Sequence, residues 1–259
     1  MMKNVANIVI VLAMAVGTAN VYAQPAAPYK TDAGKKVHEA MSGDIRTDAE
    51  KARDANRKPI ETLEFFGLKE DMRVMEMFPG GGWYTKLLAP ALADKGKLYL
   101  ALGGRLKDRL SEWGFDKVEL LDTGSTFKVV SEPGTFIADL GKFDLSVKDL
   151  DMVLTFRNLH NIAPESRAMI NKTIFKALKP GGIYGVIDHT KRHMEGYSKE
   201  TWRRLDPVLV IKESLDAGFE FVGYSDLHYR ADDELLYDMA RRAVKGNSDR
   251  FTLKFRKPE

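Results

Sequence analysis

The chain has 259 residues, a formal net charge of +3 and no cysteine. Without cysteine, the protein forms neither disulfides nor cysteine-ligated metal sites, and a lipid-modified bacterial lipoprotein is excluded. Acidic and basic residues are interspersed, and no long basic tract is present. The charge pattern typical of nucleic-acid-binding proteins is therefore missing, and no nucleic-acid partner is expected.

The first residues have the outline of a secretory signal peptide. Lys3 precedes an apolar run at residues 8–16, and residues 21–23 read Val-Tyr-Ala, with small residues where a signal peptidase reads. The alternative is an uncleaved anchor, but this run is shorter than the roughly 20 residues that span a bilayer. We expect residues 1–23 to be a cleaved signal peptide, and the protein to be periplasmic or secreted with no stable membrane anchor.

After the signal peptide, residues 24–43 are expected to be flexible and residues 44–259 to form one domain. Strands and helices alternate along that domain, which predicts a three-layer α/β sandwich around a mainly parallel seven-stranded sheet. Residues 122–148, rich in Gly, Ser, Thr and Pro, fit neither type of element. In chain order, the predicted elements are a helix at 59–67, strand 74–77, helix 83–94, strand 97–102, helix 106–113, strand 118–121, strand 151–156, helix 164–178, a break at 179–182, strand 183–187, helix 208–217, strand 219–224, helix 232–244 and strand 250–256.

The stretch at residues 74–85 (Val-Met-Glu-Met-Phe-Pro-Gly-Gly-Gly-Trp-Tyr-Thr) predicts a ligand pocket. A short apolar strand runs into three glycines and then into a helix. Glycine lets the backbone approach a ligand, and a helix N-terminus offers free N–H groups. The nicotinamide fingerprint G-x-G-x-x-G fails, because Gly80 and Gly82 are followed by Thr85 instead of a third glycine. A tight turn without any ligand is the alternative.

The same stretch resembles motif I of the class I S-adenosylmethionine (SAM)-dependent methyltransferases, hydrophobic-acidic-hydrophobic-G-x-G-x-G. On that match Glu76 is the acidic residue, and Phe78 stands where the first glycine is usual. The resemblance implies a Rossmann-like sheet whose last strand is antiparallel, and SAM as the cofactor. The residues it implies for cofactor binding are Glu76, Phe78, Pro79, Gly80, Gly81, Gly82, Tyr84 and Asn158.

The resemblance extends over nearly all of the expected mature chain. Residues 151–161 (Asp-Met-Val-Leu-Thr-Phe-Arg-Asn-Leu-His-Asn) resemble the strand-four motif of these enzymes, and residues 178–182 resemble the turn into strand five. Together with the glycine turn, they are similar to a group of predicted, often exported bacterial methyltransferases. The resemblance implies methyl transfer to an unknown small-molecule or envelope acceptor.

The chain also departs from the family pattern. Strand two of most relatives ends in an acidic residue that holds the ribose, whereas residues 98–102 lead into Gly103 and Gly104 without one. The acid expected near the adenine is either Asp122 or Asp139. In addition, SAM is made in the cytosol and does not cross lipid unaided. These departures favour an alternative function, an inactive methyltransferase-like module that binds a nucleoside-type ligand or a protein partner.

Candidate catalytic residues follow strands four and five, because open α/β sheets bind ligands at the carboxyl ends of their strands. We expect His160 and Asp188 to act on the acceptor, with Asn161 and His189 as further candidates. Histidine is a natural base at such a position. The alternatives are that His160 caps the helix beginning at residue 164 and that Asp188 is a turn residue. His189-x3-His193 has no accompanying ligand pattern, so no metal site is expected.

Overall fold

The computed structural model describes residues 27–259, so the expected signal peptide and its cleavage site lie outside the described residues. A β-sheet lies at the centre of the molecule. The strands are β1 (Arg73–Met77), β2 (Lys97–Ala101), β3 (Glu119–Leu121), β4 (Phe127–Val129), β5 (Ala138–Leu140), β6 (Leu150–Phe156), β7 (Leu178–His189), β8 (Glu220–Ser225) and β9 (Arg250–Arg256).

Seven of these strands form one sheet in the order β3-β2-β1-β6-β7-β9-β8. The pairings from β3 through β7 are parallel, whereas β9 runs antiparallel to both β7 and β8. The fold predicted from the sequence, with its antiparallel last strand, is confirmed. Strand β1 lies between β2 and β6, where the chain changes the direction in which it adds strands. In open α/β sheets, ligands bind at the carboxyl ends of the strands at such a point.

Helices cover both faces of this sheet, and each face has its own apolar core. Along β1, Val74 contacts one core and Met75 the other, because side chains alternate across a strand. Residues of α1, α4, α5 and α6 pack on one face, and residues of α7 and α8 on the other. The helices are α1 (Asp32–Met41), α2 (Asp48–Lys51), α3 (Asp54–Arg57), α4 (Pro59–Phe66), α5 (Thr85–Leu92), α6 (Lys107–Glu112), α7 (Pro164–Ala177) and α8 (Pro207–Asp216).

Helix α1 lies in the segment for which the sequence predicts flexibility. Thr31 caps it, because the side-chain hydroxyl accepts a hydrogen bond from the backbone N–H of Gly34 at 2.9 Å. Val37 is fully buried in the core beside α5. The capping residue and the apolar stripe hold this helix against α4 and α5. No helix among the described residues is long and apolar enough to cross a membrane.

The predicted helix at residues 232–244 is wrong, because this stretch consists of turns. Asp233 is the reason. Its Oδ1 accepts hydrogen bonds from the backbone N–H of Leu235 at 3.0 Å and from Arg204, and its Oδ2 accepts one from the backbone N–H of Asp249. A carboxylate that bonds nearby backbone groups competes with helix formation. Leu235 also has a φ of +62°, outside the helical region.

Two further segments differ from the sequence expectation. Strand β7 begins at Leu178, and residues 179–182 bulge out of its pairing with β6 before Ile183 resumes the register. The predicted break is therefore an irregularity inside a longer strand, with Gly181 at a φ of +72°. Residues 122–148 contain β4 and β5, which pair antiparallel as a separate two-stranded sheet.

Candidate functional site

Three neighbouring strands are each followed by a residue with a left-handed backbone conformation. Phe78, Leu102 and Arg157 directly follow β1, β2 and β6, and have φ angles of +51°, +58° and +63°. A left-handed backbone costs a residue other than glycine roughly 1–2 kcal/mol. Such strain concentrates at functional sites. The left-handed φ of Phe78 also explains why the family motif usually has glycine at this position.

Two cavities lie at these strand ends and share Phe78, Gly80 and Asn158 as lining residues. The larger has a volume of about 620 Å³ and the smaller about 220 Å³. The larger one falls in the range of about 300–1,000 Å³ that is typical of small-molecule sites. Its other lining residues are Leu102, Gly103, Gly104, Arg105, Phe127, Phe136, Asn161 and Ile162.

The three glycines divide into two groups. A Cβ atom added to Gly80 or Gly81 would meet nothing within 4 Å, and both residues line the smaller cavity. A Cβ atom on Gly82 would lie 2.8 Å from the ring of Trp113, and Gly82 lines neither cavity. The space over Gly80 and Gly81 is therefore open to a ligand, whereas Gly82 lets the turn pack against Trp113.

Glu76, at the end of β1, lines the smaller cavity and is 2% exposed. The hydroxyl of Thr85 donates a hydrogen bond to its Oε2 at 2.6 Å. Burial raises the pKa of the Glu76 carboxyl to about 7, against the lowering effects of the Thr85 bond and of Arg57. Glu76 therefore keeps its proton to a higher pH than an exposed glutamate does.

An aromatic stack forms one wall of the smaller cavity. The rings of Tyr84 and Phe156 lie parallel with centroids 3.6 Å apart, and Trp83 meets Tyr84 edge-on at 4.7 Å. Burial raises the pKa of the Tyr84 hydroxyl, so the phenol is neutral. Pro79 lines the same cavity. The two aromatic residues after the glycines therefore line the smaller cavity, and the contact of Tyr84 with a cofactor stays a prediction.

Asn158 connects the two strand ends that border both cavities. Its side-chain amide donates hydrogen bonds to the backbone carbonyls of Phe156, at 2.9 Å, and Phe78, at 3.2 Å. Both amide hydrogens are thus used to hold the backbone. The side-chain oxygen accepts no hydrogen bond from the described residues, which leaves it available to a ligand.

His160 and Asp188 contact each other but line neither cavity. Asp188 is fully buried, and its Oδ1 lies 2.5 Å from Nδ1 of His160. The carboxylate also accepts hydrogen bonds from the backbone N–H groups of His160 and His189. Asp188 is therefore bound to the protein on both oxygens and positions the His160 ring. Asn161, on the same short helical turn, lines the larger cavity. The catalytic roles of His160 and Asp188 stay predictions.

His189 is buried away from both cavities. Its Nδ1 lies 2.9 Å from the Ser248 hydroxyl, and burial lowers its pKa well below the usual value, as does nearby His160. His193, four residues on, lies near the surface with its Nδ1 2.9 Å from Asp206. Within residues 27–259, no group of three or more potential metal ligands is present.

Arginines are the residues that the sequence reasoning missed. Arg53, Arg57 and Arg157 all line the smaller cavity. The guanidinium of Arg57 lies 4.3 Å from the centre of the Trp83 ring, and burial lowers its pKa to about 9, helped by repulsion from Arg157. Arg157 belongs to the strand-four motif and could have been singled out. Arg53 and Arg57 lie in a polar stretch without any local signal.

The larger cavity has no carboxylate among its lining residues. Asp122 accepts a hydrogen bond from the backbone N–H of Gly124, and Asp139 accepts one from the Ser166 hydroxyl at 2.6 Å. Neither acid lines the cavity, and the contact of one of them with adenine stays a prediction. The side of the larger cavity towards β4 and β5 is apolar instead, because Phe127 and Phe136 line it.

No protein-family model and no curated protein sequence matches this chain. Solved structures do match it. A SAM-dependent methyltransferase from Aquifex aeolicus is 17% identical with a TM-score of 0.54, over 86% of this chain and 97% of that one. The [4+2]-cyclase SpnF is 19% identical with a TM-score of 0.55, over 88% of this chain and 93% of the cyclase. Human N-acetylserotonin methyltransferase, solved in complex with SAM, is 14% identical with a TM-score of 0.50, over 88% of this chain and 57% of the human enzyme.

These similarities concern the fold. One of the three structures is described as a cyclase, so the fold supports more than one activity, and the site must decide the function. The structure agrees with the resemblance in three features: the sheet order, the antiparallel last strand and the position of the glycine turn. The chain has the class I fold of the SAM-dependent methyltransferases.

Proposed function

We propose that the protein is a SAM-dependent methyltransferase that acts on a small molecule. The observation that carries the proposal is the glycine turn at the joined ends of β1, β2 and β6, where Gly80 and Gly81 face open space between two cavities. Glycine without a Cβ lets a ligand contact the backbone. The fold shared with SAM-dependent methyltransferases supports the same assignment.

The residues present fit SAM. Phe78, Gly80 and Asn158 line both cavities and would hold the cofactor where the two meet, while Glu76, Pro79, Gly81 and Tyr84 would contact it from the smaller one. In the larger cavity, the side-chain amides of Asn158 and Asn161 would accept hydrogen bonds from the ribose hydroxyls, in place of the usual carboxylate.

SAM supplies a methyl group that its sulfonium already activates. The task of the protein is then to align the acceptor with that methyl and to remove a proton where the acceptor carries one. His160 is our candidate for the proton transfer, held by Asp188 through Nδ1. Access from the cavities to His160 would require the turn at Leu159–Asn161 to adjust, since this ring lines neither cavity.

We further propose that the enzyme works outside the cytoplasm, on an envelope component or another small molecule. The signal-like pattern at residues 1–23 supports this location. Mass spectrometry of the exported protein should find an N-terminus near Gln24. An intact Met1 or Met2 terminus would contradict the export proposal and leave the methyltransferase proposal untouched.

An inactive binding module is the second candidate. It is favoured by two absences: no carboxylate lines the larger cavity, and neither His160 nor Asp188 lines either cavity. Such a module would bind a nucleoside-type ligand without turnover. The two candidates therefore differ in one measurable property, the transfer of methyl groups.

The deciding experiment is transfer of labelled methyl from SAM by the purified protein to an envelope extract and to a small-molecule fraction. Gly81→Val should abolish transfer by filling the open space, whereas Gly196→Val, a similarly unobstructed glycine outside both cavities, should not. Cofactor binding without transfer to any fraction would favour the binding module.

A further inference from the structure

We infer that Arg53, Arg57 and Arg157 form an anion site that holds a carboxylate or phosphate group of the methyl acceptor. This inference rests on the proposed methyltransferase function and adds a substrate class to it. The acceptor would be a negatively charged small molecule, anchored in the smaller cavity beside the glycine turn.

The three arginines reach this cavity from two parts of the fold. Arg53 and Arg57 belong to the turn and helix at α3, and Arg157 follows β6 on the opposite side. Arg57 is 5% exposed and Arg53 is exposed, so the cluster runs from the interior to the surface. The guanidinium of Arg57 lies over the ring of Trp83 and forms no ion pair with the described residues, so its N–H donors are available to a ligand.

No carboxylate of the described residues forms an ion pair with these three arginines. The neighbouring acids have other partners: Glu50 pairs with Lys86 at 2.9 Å, Asp54 pairs with Arg46, and Asp188 binds His160. A buried charge without a partner is unfavourable, and buried charges in proteins are normally paired. The low pKa of Arg57, caused by burial and by Arg157, reflects this uncompensated positive charge.

Glu50 and Glu76 are the carboxylates that line the cavity, and Glu76 compensates the arginines poorly. Its Oε2 accepts the hydrogen bond from Thr85, and burial holds its pKa at about 7. The raised pKa therefore reduces the negative charge that Glu76 offers the arginines at neutral pH. The side chains that line the cavity therefore keep an excess of positive charge, which an anionic ligand would neutralise.

The charge of the cofactor favours an anionic acceptor. SAM carries a sulfonium, an ammonium and a carboxylate, so its net charge is positive, and placing it next to three arginines is electrostatically unfavourable. An acceptor anion bound to Arg53, Arg57 and Arg157 would offset their positive charge and so reduce the repulsion of SAM. Arginine binds carboxylate and phosphate groups with two parallel hydrogen bonds, which also fixes the orientation of the acceptor.

The anchoring group is unchanged by the reaction. A nucleophile elsewhere on the acceptor forms a bond to the methyl carbon as the carbon–sulfur bond of the sulfonium breaks, and the electron pair stays on sulfur as a neutral thioether. Because the smaller cavity shares Phe78, Gly80 and Asn158 with the larger one, an acceptor anchored there lies next to the cofactor.

The test measures the coupling between an anion and the cofactor, with inorganic phosphate as the probe. SAM and S-adenosylhomocysteine are each titrated into the purified protein with and without phosphate, at constant ionic strength. Phosphate should strengthen SAM binding about 5-fold or more, which is typical of coupled sites. The effect on S-adenosylhomocysteine should be smaller, because this product lacks the sulfonium charge.

Arg157→Gln and Arg53→Gln should each reduce phosphate binding and the coupling, and the exposed Arg53 makes the second variant safe for folding. Arg109→Gln, an exposed arginine on α6 outside both cavities, serves as the control and should change neither. The fluorescence of Trp83, which Arg57 covers, gives an independent readout of phosphate binding.

Competition between phosphate and SAM would overturn the inference, because the arginines would then hold the carboxylate of the cofactor itself. Absence of phosphate binding with normal SAM binding would also overturn it, while the methyltransferase proposal would stand. Phosphate binding without any binding of SAM or S-adenosylhomocysteine would remove the methyltransferase proposal, and the acceptor assignment with it.

Discussion

The side-chain amide of Asn158 donates a hydrogen bond to the backbone carbonyl of Phe78 at 3.2 Å. This bond joins the end of β6 to the turn after β1, across the boundary between the two cavities. Phe78 needs such support, because its left-handed backbone is strained. The geometry of the candidate cofactor site therefore depends on a residue from a different strand.

Asn158→Ala should lower the free energy of unfolding by about 1–2 kcal/mol, because two hydrogen bonds to backbone carbonyls are lost. SAM binding should weaken as well, since the glycine turn loses its support. For stability, Asn161→Ala is the matched control: Asn161 lines the larger cavity, and its side chain donates no hydrogen bond to the described residues. Urea unfolding of the three proteins checks the prediction, and equal stability of Asn158→Ala and the parent would contradict it.

Gly81 offers the cleanest steric test of the glycine turn. It lines the smaller cavity, faces open space and has no positive φ, unlike Gly80 at +58°. Gly81→Val should therefore leave the thermal stability close to that of the parent while strongly weakening SAM binding. Gly82→Ala should do the reverse, with a clear loss of stability, because its Cβ would press on Trp113. Calorimetry and thermal melts separate the two outcomes, and unchanged binding by Gly81→Val would count against the site.

The strand and helix pattern was readable from the sequence because apolar periodicity and glycine breaks mark each element locally. The glycine turn, with its open space over Gly80 and Gly81, was predictable for the same reason. The helix expected at residues 232–244 was not, because the competing hydrogen bonds of Asp233 come from Arg204 and Asp249, which are distant in the sequence. Long-range contacts of this kind leave no local pattern.

The same limit applies to the arginine site. Arg53 and Arg57 lie in a polar stretch and reach the cavity only because the following helix α4 packs into the core. Asp188 shows the converse: it lies at the carboxyl end of β7, where a ligand-contacting residue would lie. Its carboxylate nevertheless accepts hydrogen bonds from His160 and from the backbone N–H of His189. Position at a strand end predicts closeness to the site, and tertiary hydrogen bonds decide which side chains face it.

Glu76 should make stability fall as pH rises. Its pKa is raised to about 7 in the folded protein against the ordinary value of 4.5, so between these values the folded state holds a proton that the unfolded state has lost. The stabilisation is complete below pH 4.5 and is lost as the pH rises through 7, by about 3 kcal/mol.

Glu76→Gln removes this dependence, because the amide stays neutral and still accepts a hydrogen bond from Thr85. Urea unfolding from pH 5 to pH 8 should show a difference between parent and variant that grows with pH in favour of Glu76→Gln. A constant difference across this range would show that Glu76 has an ordinary pKa.

Asp188→Asn and His160→Gln should each lower turnover on the order of 10²-fold or more, the range for a lost proton-transfer group, with little change in SAM affinity. The double variant should be no slower than His160→Gln alone, because Asp188 acts through His160. Asp206→Asn, which alters the histidine–aspartate pair at His193 near the surface, is the control. Additive losses in the double variant would argue for separate roles.

The most direct test of the methyltransferase account is calorimetric titration of the purified protein with SAM and S-adenosylhomocysteine. We expect one site for each, strongly weakened by Gly81→Val and unchanged by Gly196→Val, because only Gly81 lines a cavity at the strand ends. Absence of binding of both compounds to the parent protein would contradict the account.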